Sequence, residues 1–171
     1  PDIIENLSQL TVSVWVRSAI AESPNQFNIL EQTGFGDDSI LLARSDIESF
    51  SFTLFNDSQA SITNVTPLPF QDTNWHHIVG TYNSSQVTLY VDSVLSNLST
   101  FTGLIEGNAG NNLVIGSDSG TSGNTWNGTI DEVLIFKRKN TRTISSPTWT
   151  FSRPFKRSSK RVVRKYAPVT K

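Results

Sequence analysis

The loops of this 171-residue chain are rich in oxygen atoms that could bind a metal ion. Asp37 and Asp38 follow a glycine-containing stretch, and Asp118 lies between Gly116 and Gly120. Ca²⁺ takes roughly six to eight oxygen ligands from carboxylates, carbonyls and water. These loops therefore predict a calcium site, with the alternative that Asp37 and Asp38 only favour turn geometry.

Two adjacent pairs of ionisable residues are candidates for acid–base or metal chemistry, Asp131-Glu132 and His76-His77. Adjacent residues on a strand point to opposite faces, so neither pair is expected to converge on one substrate or one ion. The chain has no cysteine, nucleophile elbow or phosphate-binding glycine loop. We therefore predict no catalytic residue and expect structural roles for both pairs.

Charge divides the chain into two parts of opposite sign. Residues 1–136 carry two arginines and all fifteen carboxylates, a formal charge of 2 − 15 = −13, whereas residues 137–171 carry twelve basic groups and no acid. An acidic body with a basic arm favours self-association, with the arm of one molecule on the body of another. The alternative is a solvated acidic surface with a disordered tail.

The basic arm also contains aromatic residues. Thr148–Arg153 alternates and is predicted to form one more strand, at about 147–153, because proline is tolerated at strand starts and sheet edges. A buried aromatic side chain contributes about 1.5–3 kcal/mol and an exposed ion pair about 0–1 kcal/mol, so we expect the arm to dock on protein. Nucleic acid is not the expected partner, because the acidic body repels phosphates. The predicted partner-binding residues are Trp149, Phe151, Phe155, Arg157, Lys160, Arg161, Arg164, Lys165 and Tyr166.

The secondary structure that positions these candidate residues is indicated by an alternation of apolar and other residues with period two. It is clearest in Leu10–Arg17, Phe50–Phe55 and Val87–Val91, and turn residues separate such stretches. The pattern predicts an all-β domain over 1–136, an antiparallel two-sheet jelly-roll sandwich, with a basic C-terminal extension over 137–171. Further strands are predicted at 27–32, 39–44, 60–66, 75–82, 112–116 and 133–136.

Six Asn-x-Ser/Thr sequons are typical of a secreted glycoprotein. The chain has no apolar run of about 18 residues, so no membrane-spanning helix is expected. It starts at Pro1, and we expect a processed or excised piece of a protein located outside the cell or on its surface. The predicted glycosylation sites are Asn6, Asn56, Asn64, Asn83, Asn97 and Asn127.

Several motifs resemble the laminin-G-like, concanavalin A-like jelly-roll family. They include its Thr-Val-Ser-x-Trp-Val-Arg strand, its Trp-His-His-Ile-Val-Gly-Thr-Tyr strand and its Leu-Tyr-Val-Asp hairpin, where Ser93 replaces the usual glycine. The order and spacing of the motifs also fit, over roughly residues 8–137, and the arm lies outside the resemblance. The matching segments are Leu10–Arg17, Trp75–Tyr82, Val87–Asp92, Leu113–Gly116 and Asn127–Phe136.

The resemblance implies both a role and a set of metal ligands. Members of the family are mostly non-catalytic extracellular modules that bind glycans, proteins or matrix, often with calcium. In pentraxin-like domains an acidic pair before a strand supplies ligands, and Asp37 and Asp38 match it. The loop after Leu-Val-Ile-Gly supplies more, which Asp118 matches in part, and Asn124 matches an amide ligand.

We therefore predict a non-catalytic extracellular recognition or adhesion module that binds a glycan or a protein, assisted by Ca²⁺. One alternative is a structural subunit of an extracellular filament or sheath, assembled by docking the basic arm on a neighbouring acidic domain. Another is a carbohydrate-active enzyme or its accessory domain.

Overall fold

The structure is a computed structural model that describes most of the body of the chain. The predicted strand at about 147–153, the rest of the arm from residue 138, and the predicted ligands Asp37, Asp38 and Asp118 lie outside the described residues. The described residues are 4, 6–21, 27–32, 39–45, 49–58, 61–66, 70–106, 112–117 and 124–137.

Ten β-strands form the described part of the chain, which contains no helix. Each strand predicted within residues 1–136 is present, and one further strand, β8, was not predicted. The strands are β1 Leu10–Ser18, β2 Phe27–Gln32, β3 Ile40–Arg44, β4 Phe50–Phe55, β5 Ser61–Val65, β6 Trp75–Tyr82, β7 Gln86–Val91, β8 Val94–Thr100, β9 Val114–Ile115 and β10 Gly128–Phe136.

The strands pack as two antiparallel five-stranded sheets. Sheet 1 has the order β10-β1-β6-β7-β8, and sheet 2 has the order β5-β4-β3-β2-β9. The first and last strands of the chain are therefore neighbours, and β8 and β5 form the edges on one side of the sandwich. The predicted jelly-roll fold is confirmed.

Alternation along β1 shows how the sequence builds this sandwich. Leu10, Val12, Val14 and Val16 are buried between the sheets, in one apolar cluster with residues of sheet 2. Burying each such side chain contributes about 1.5–3 kcal/mol, which holds the alternate residues in register on the opposite face. That opposite face of sheet 1 is therefore where β1 presents its polar and aromatic side chains.

Asparagine amides close the side of the sandwich where β5 and β8 meet. Asn64 is fully buried: its Nδ2 donates to the Val87 carbonyl at 2.8 Å, and its Oδ1 accepts from Ser99 Oγ at 2.6 Å. Asn97 Nδ2 donates to the Val65 carbonyl at 2.9 Å. These bonds satisfy polar groups that would otherwise be buried without partners.

The same bonds bear on the predicted glycans, because a glycan is attached through Nδ2. Asn64 and Asn97 use this atom as just described, and Asn56 Nδ2 donates to the Thr102 carbonyl at 2.9 Å. A glycosylated amide keeps one N–H, so these hydrogen bonds do not by themselves exclude a glycan. The sites at Asn6, Asn56, Asn64, Asn83, Asn97 and Asn127 all stay predictions.

Candidate ligand-binding face

The outward side of sheet 1 carries a group of aromatic and polar side chains at one end. Trp15 and Arg17 point away from the core because they alternate with buried valines on β1. On β6 their cross-strand partners are His77 and Trp75, and on β10 they are Asp131 and Thr129. We call these six residues the tryptophan face.

A histidine supports Trp15 from the neighbouring strand. The rings of Trp15 and His77 are stacked, with centroids 4.9 Å apart and planes 18° apart. Ser13 Oγ lies 2.8 Å from His77 Nε2, and burial lowers the pKa of His77. The imidazole is therefore a neutral, fixed platform that sets the orientation of the indole.

Trp75 is the more accessible of the two tryptophans, with 38% of its surface exposed. The Arg17 guanidinium carbon lies 5.4 Å from the centre of its ring, within the range of a cation–π contact. Arg17 is itself exposed. The pair therefore offers a ring with apolar surface next to five N–H donors.

The β10 side of this face contains exposed polar groups and a bulge. Thr129 and Asp131 are both exposed. The pairing with β1 shifts between Ser13 and Trp15, and Glu132 has a positive φ of 48°. Asp131 lies opposite Trp15, and Glu132 is the next residue, in the bulge; both are exposed.

His76 lies on the other side of β6, as strand geometry predicts for adjacent residues. Its Nδ1 is 2.7 Å from Asp92 Oδ2 and its Nε2 is 3.0 Å from Asp72 Oδ1, while its ring packs against Phe70 and Phe50. The hydrogen bond with Asp92, and then that with Asp72, raises the pKa of His76 against the opposing effect of burial. This histidine ties the segment before β6 to the turn between β7 and β8.

The two aspartates respond in the opposite direction. The backbone N–H of Asn74 lowers the pKa of Asp72, and His76 adds to the effect. Burial disfavours ionisation of Asp92, but its bonds with His76 and with the His77 N–H, at 2.8 Å, outweigh this and lower its pKa. The charged form of the cluster is therefore the stable one.

Stability should follow the protonation of this cluster. Because its folded-state pKa is raised, His76 stabilises the fold fully below about pH 6.5 and loses this contribution as pH rises through the raised value. Asp72 and Asp92 stabilise the fold above about pH 3.9, and this contribution is lost as the pH falls through their lowered pKa values. His77, whose pKa is lowered by burial, acts in the opposite direction, so the contribution of His76 is measured against a His76→Gln variant. By chemical denaturation, the free energy of unfolding of the original chain should exceed that of the variant by more at pH 5.5 than at pH 8.5, the change being about 1 kcal/mol or less because the carboxylates are partly exposed.

His76→Gln is the matched test of that prediction. The remaining buried His77 has a lowered pKa, so protonation opposes folding and its contribution makes stability rise with pH. The stability of His76→Gln relative to the original chain should therefore rise from pH 5.5 to pH 8.5. An unchanged pH profile in this variant would assign the dependence to other groups.

Little of the predicted calcium site lies in the described part of the chain. Of its four residues only Asn124 is described; it is partly buried, and its carbonyl accepts a bond from Asn28 N at 2.9 Å. Within the described ranges, no group of three His, Asp or Glu residues is arranged to hold a metal ion. The calcium site stays a prediction, as do the partner-binding residues of the arm.

The sequence motifs did not single out the tryptophan face, although a signal was available. Trp15 and Arg17 occupy outward positions of β1, and Trp75 and His77 occupy outward positions of β6, two strands that carry family motifs. What could not be read is that these strands are neighbours in a register that places Trp15 beside His77 and Arg17 beside Trp75. That pairing comes from the tertiary fold.

The sequence matches a laminin G family model, described as the concanavalin A-like lectin/glucanases superfamily, over residues 2–143. The chain therefore belongs to this family, which confirms the resemblance found in its motifs. No curated protein matches the chain. No helix in the described residues is long and apolar enough to cross a membrane.

Solved structures share the fold at low sequence identity. A heptameric SAP-like pentraxin from Limulus polyphemus is 12% identical, with a TM-score of 0.60 over 80% of this chain and 68% of that chain. Domains LG4-5 of the mouse laminin alpha1 chain are 16% identical, with a TM-score of 0.60 over 81% and 37%. The CBM40 of the Ruminococcus gnavus IT-sialidase, bound to alpha2,3 sialyllactose, is 16% identical, with a TM-score of 0.61 over 81% and 82%. The chain thus spans little more than a third of the solved LG4-5 chain.

Proposed function

We propose that this chain is a non-catalytic binding module that holds a glycan on the tryptophan face. The observation that supports this most strongly is that Trp15 and Trp75 lie on the same outward side of sheet 1, in two neighbouring rows of cross-strand partners. Exposed hydrogen-bonding groups lie beside them. A sugar ring presents C–H groups on its faces and hydroxyls around its rim. The exposed indole surface can pack against the C–H groups, and Arg17, Thr129 and Asp131 can form hydrogen bonds with the hydroxyls.

The geometry favours a pre-formed site over one that forms on binding. Trp15 rests on His77, and Trp75 sits against Arg17, so both indoles are already oriented by contacts on neighbouring strands. Ordering side chains on binding costs about 0.5–1.5 kcal/mol for each one immobilised, and this site avoids much of that cost. The family membership and the sialyllactose-bound CBM40 with the same fold support a glycan as ligand.

Calcium and an extracellular or cell-surface location are part of this proposal. The ligands would be Asp37, Asp38, Asp118 and Asn124. Asn124 is anchored to the start of β2 through Asn28, and the Trp126 N–H donates to the Gly116 carbonyl at 2.9 Å. The segments after β9 and before β10 therefore meet there, which supports the part of the site that comes from these two segments; Asp37 and Asp38 follow the other end of β2, after Gln32.

Glycan binding is tested by titrating a panel of neutral and acidic oligosaccharides, with and without Ca²⁺, and following affinity by calorimetry. We expect Trp75→Ala to weaken binding about tenfold or more, since truncating a central interface tryptophan costs about 2 kcal/mol or more and about 1.4 kcal/mol is tenfold. Leu104→Ala is the matched control, because Leu104 is similarly exposed, at 39%, but lies outside the tryptophan face and should leave affinity unchanged.

Two results would contradict the proposal. One is that no oligosaccharide in the panel binds the folded chain. The other is that Trp75→Ala binds as tightly as the original chain, which would move the site away from the tryptophan face. A chelator that leaves affinity unchanged would remove calcium from the proposal but keep the glycan.

A further inference from the structure

β8 is an exposed edge strand with apolar side chains. Val94 is 67%, Leu95 54% and Leu98 48% exposed. The strand pairs with β7 on one side, and no described strand pairs with its other side. Its sequence, Val-Leu-Ser-Asn-Leu-Ser-Thr, contains none of the charged residues or prolines that usually protect an edge from pairing. Its outer backbone groups are therefore a template for another strand.

The opposite edge of sheet 1 differs in ways that discourage pairing. β10 carries the exposed carboxylates of Asp131 and Glu132, whereas β8 carries no charged residue. Each edge strand contains one bulge, at Glu132 in β10 and at Ser96 in β8, so the charges are what distinguish the two edges. On β10 only Leu134 is a large hydrophobic residue with substantial exposure, so an added strand would bury less apolar surface there than on β8.

We propose that Thr148–Arg153 pairs antiparallel with β8 of the same molecule and forms a sixth strand of sheet 1. This segment of the basic arm lies outside the described residues. Its alternation places Trp149 and Phe151 on one face of a strand. The pairing of β8 with β7 shifts at Ser96, so Leu95 and Leu98 lie on one face, beside Tyr90 and Thr88. In the expected register, which passes over this bulge, Trp149 lies beside Leu98 and Phe151 beside Leu95, so the exposed apolar stripe of β8 gains two aromatic neighbours.

The chain leaves the described fold at the right end of the sheet for this pairing. Phe136, Thr11, Thr81, Thr88 and Leu98 are successive cross-strand partners and form one row. β10 and β8 run in the same direction, so a chain that leaves after β10 reaches the C-terminal end of β8 first and can return antiparallel along it.

The connecting segment is long enough to make this crossing. The two edge strands are four strand spacings apart, about 19 Å at about 4.8 Å each. Residues 138–147 can span up to about 33 Å at about 3.3 Å per residue. A tether of this length gives a millimolar effective concentration, which favours the molecule's own β8 over that of a second molecule.

Charge also favours the arm as the occupant of this edge. Residues 1–136 carry a formal charge of −13, and residues 137–171 carry twelve basic groups without an acid. In the expected register Arg153 arrives near Asp92, the carboxylate in the turn before β8. An exposed pair of this kind adds little stability, so its effect is to select direction and register while the aromatic side chains hold the strand.

Engineered disulfides test the pairing in the full chain, since the chain has no cysteine to interfere. Val94→Cys combined with Ser152→Cys should form a bond within the monomer under mild oxidation, because neighbouring strands bring Cβ atoms within about 4.5–5.5 Å. The matched control, Glu132→Cys with Ser152→Cys, should not, because it tests the same arm position against β10. Reducing and non-reducing electrophoresis with size-exclusion chromatography separates bonds within and between molecules.

Hydrogen exchange gives a second measurement that needs no cross-link. In the full chain, Trp149→Ser with Phe151→Ser should make the outer amides of Val94–Thr100 exchange about tenfold faster or more, because they lose their strand partner. Phe155→Ser with Tyr166→Ser removes two arm aromatics outside the pairing segment and should leave this exchange unchanged. The proposal is overturned by cross-links on β10, by cross-links only between molecules, or by exchange that the first double variant does not change.

Discussion

Replacing Arg44 with methionine should lower the free energy of unfolding by about 3 kcal/mol or more, because each buried polar group left without a partner costs about 1–3 kcal/mol. Arg44 is 1% exposed, at the end of β3. Its Nη1 donates to Ser18 Oγ at 2.9 Å and to the Ile20 carbonyl at 3.1 Å. Its Nη2 donates to the carbonyls of Ala21 and Phe70.

The large effect follows from the kind of acceptors that Arg44 satisfies. A buried ion pair can often be replaced by apolar residues because both partners can be changed together. The acceptors here include three backbone carbonyls, which no side-chain substitution removes. Methionine fills much of the volume but donates no hydrogen bond, so these carbonyls lose the guanidinium that now joins the β1–β2 connection to the segment before β6.

Urea denaturation of Arg44→Met and Arg17→Met gives a matched comparison of this prediction. Arg17 is exposed, and the same change there should alter the free energy of unfolding by about 0.5 kcal/mol or less. Arg44→Lys should fall between them, since an ammonium keeps the charge but cannot form the same planar set of bonds. Equal midpoints for the two methionine variants would show that the buried guanidinium does not hold these segments.

Gly80→Ala should destabilise the fold by overpacking the interface between the sheets. A Cβ at this position of β6 would lie 2.7 Å from three ring atoms of Phe52, a β4 residue in the opposite sheet. Phe52 is itself fully buried, so its ring has little room to move. We expect a loss of about 1–3 kcal/mol in the free energy of unfolding, the usual range for an extra carbon forced into a packed core.

A double-mutant cycle identifies Phe52 as the cause of that loss. Phe52→Leu alone costs stability because it removes buried surface, but it also makes room for a methyl group at position 80. The double variant should therefore be more stable than the sum of the single effects predicts, by about 0.5–3 kcal/mol, the usual coupling between residues in contact. Strict additivity in denaturation experiments would place the strain elsewhere.

The strands that the sequence predicted are those with one face in the core. In β1 the buried apolar residues alternate with polar or aromatic ones, whereas residues 77–82 of β6 are buried without a break. Both patterns are strong because burial of each apolar residue is worth far more than local propensity. β8 was missed because it lies at an edge: its side chains are largely exposed, so core burial does not select an alternating pattern there.

The candidate site could be predicted only in part from sequence patterns. Composition and motifs predicted the fold, the family, the division between acidic body and basic arm, and the opposite orientation of His76 and His77, since these depend on local spacing. The bulge at Glu132, the buried amide of Asn64 and the buried guanidinium of Arg44 were not predicted.

Those features, and the tryptophan face itself, were decided by the tertiary structure. Each depends on which strands are neighbours and in what register they pair. For example, Trp15 stacks on His77, which lies 77 − 15 = 62 positions later in the chain. Period-two patterning determines which side of its own strand a residue occupies. It carries no information about the neighbour across the sheet, because that pairing is set by how the whole apolar interior closes.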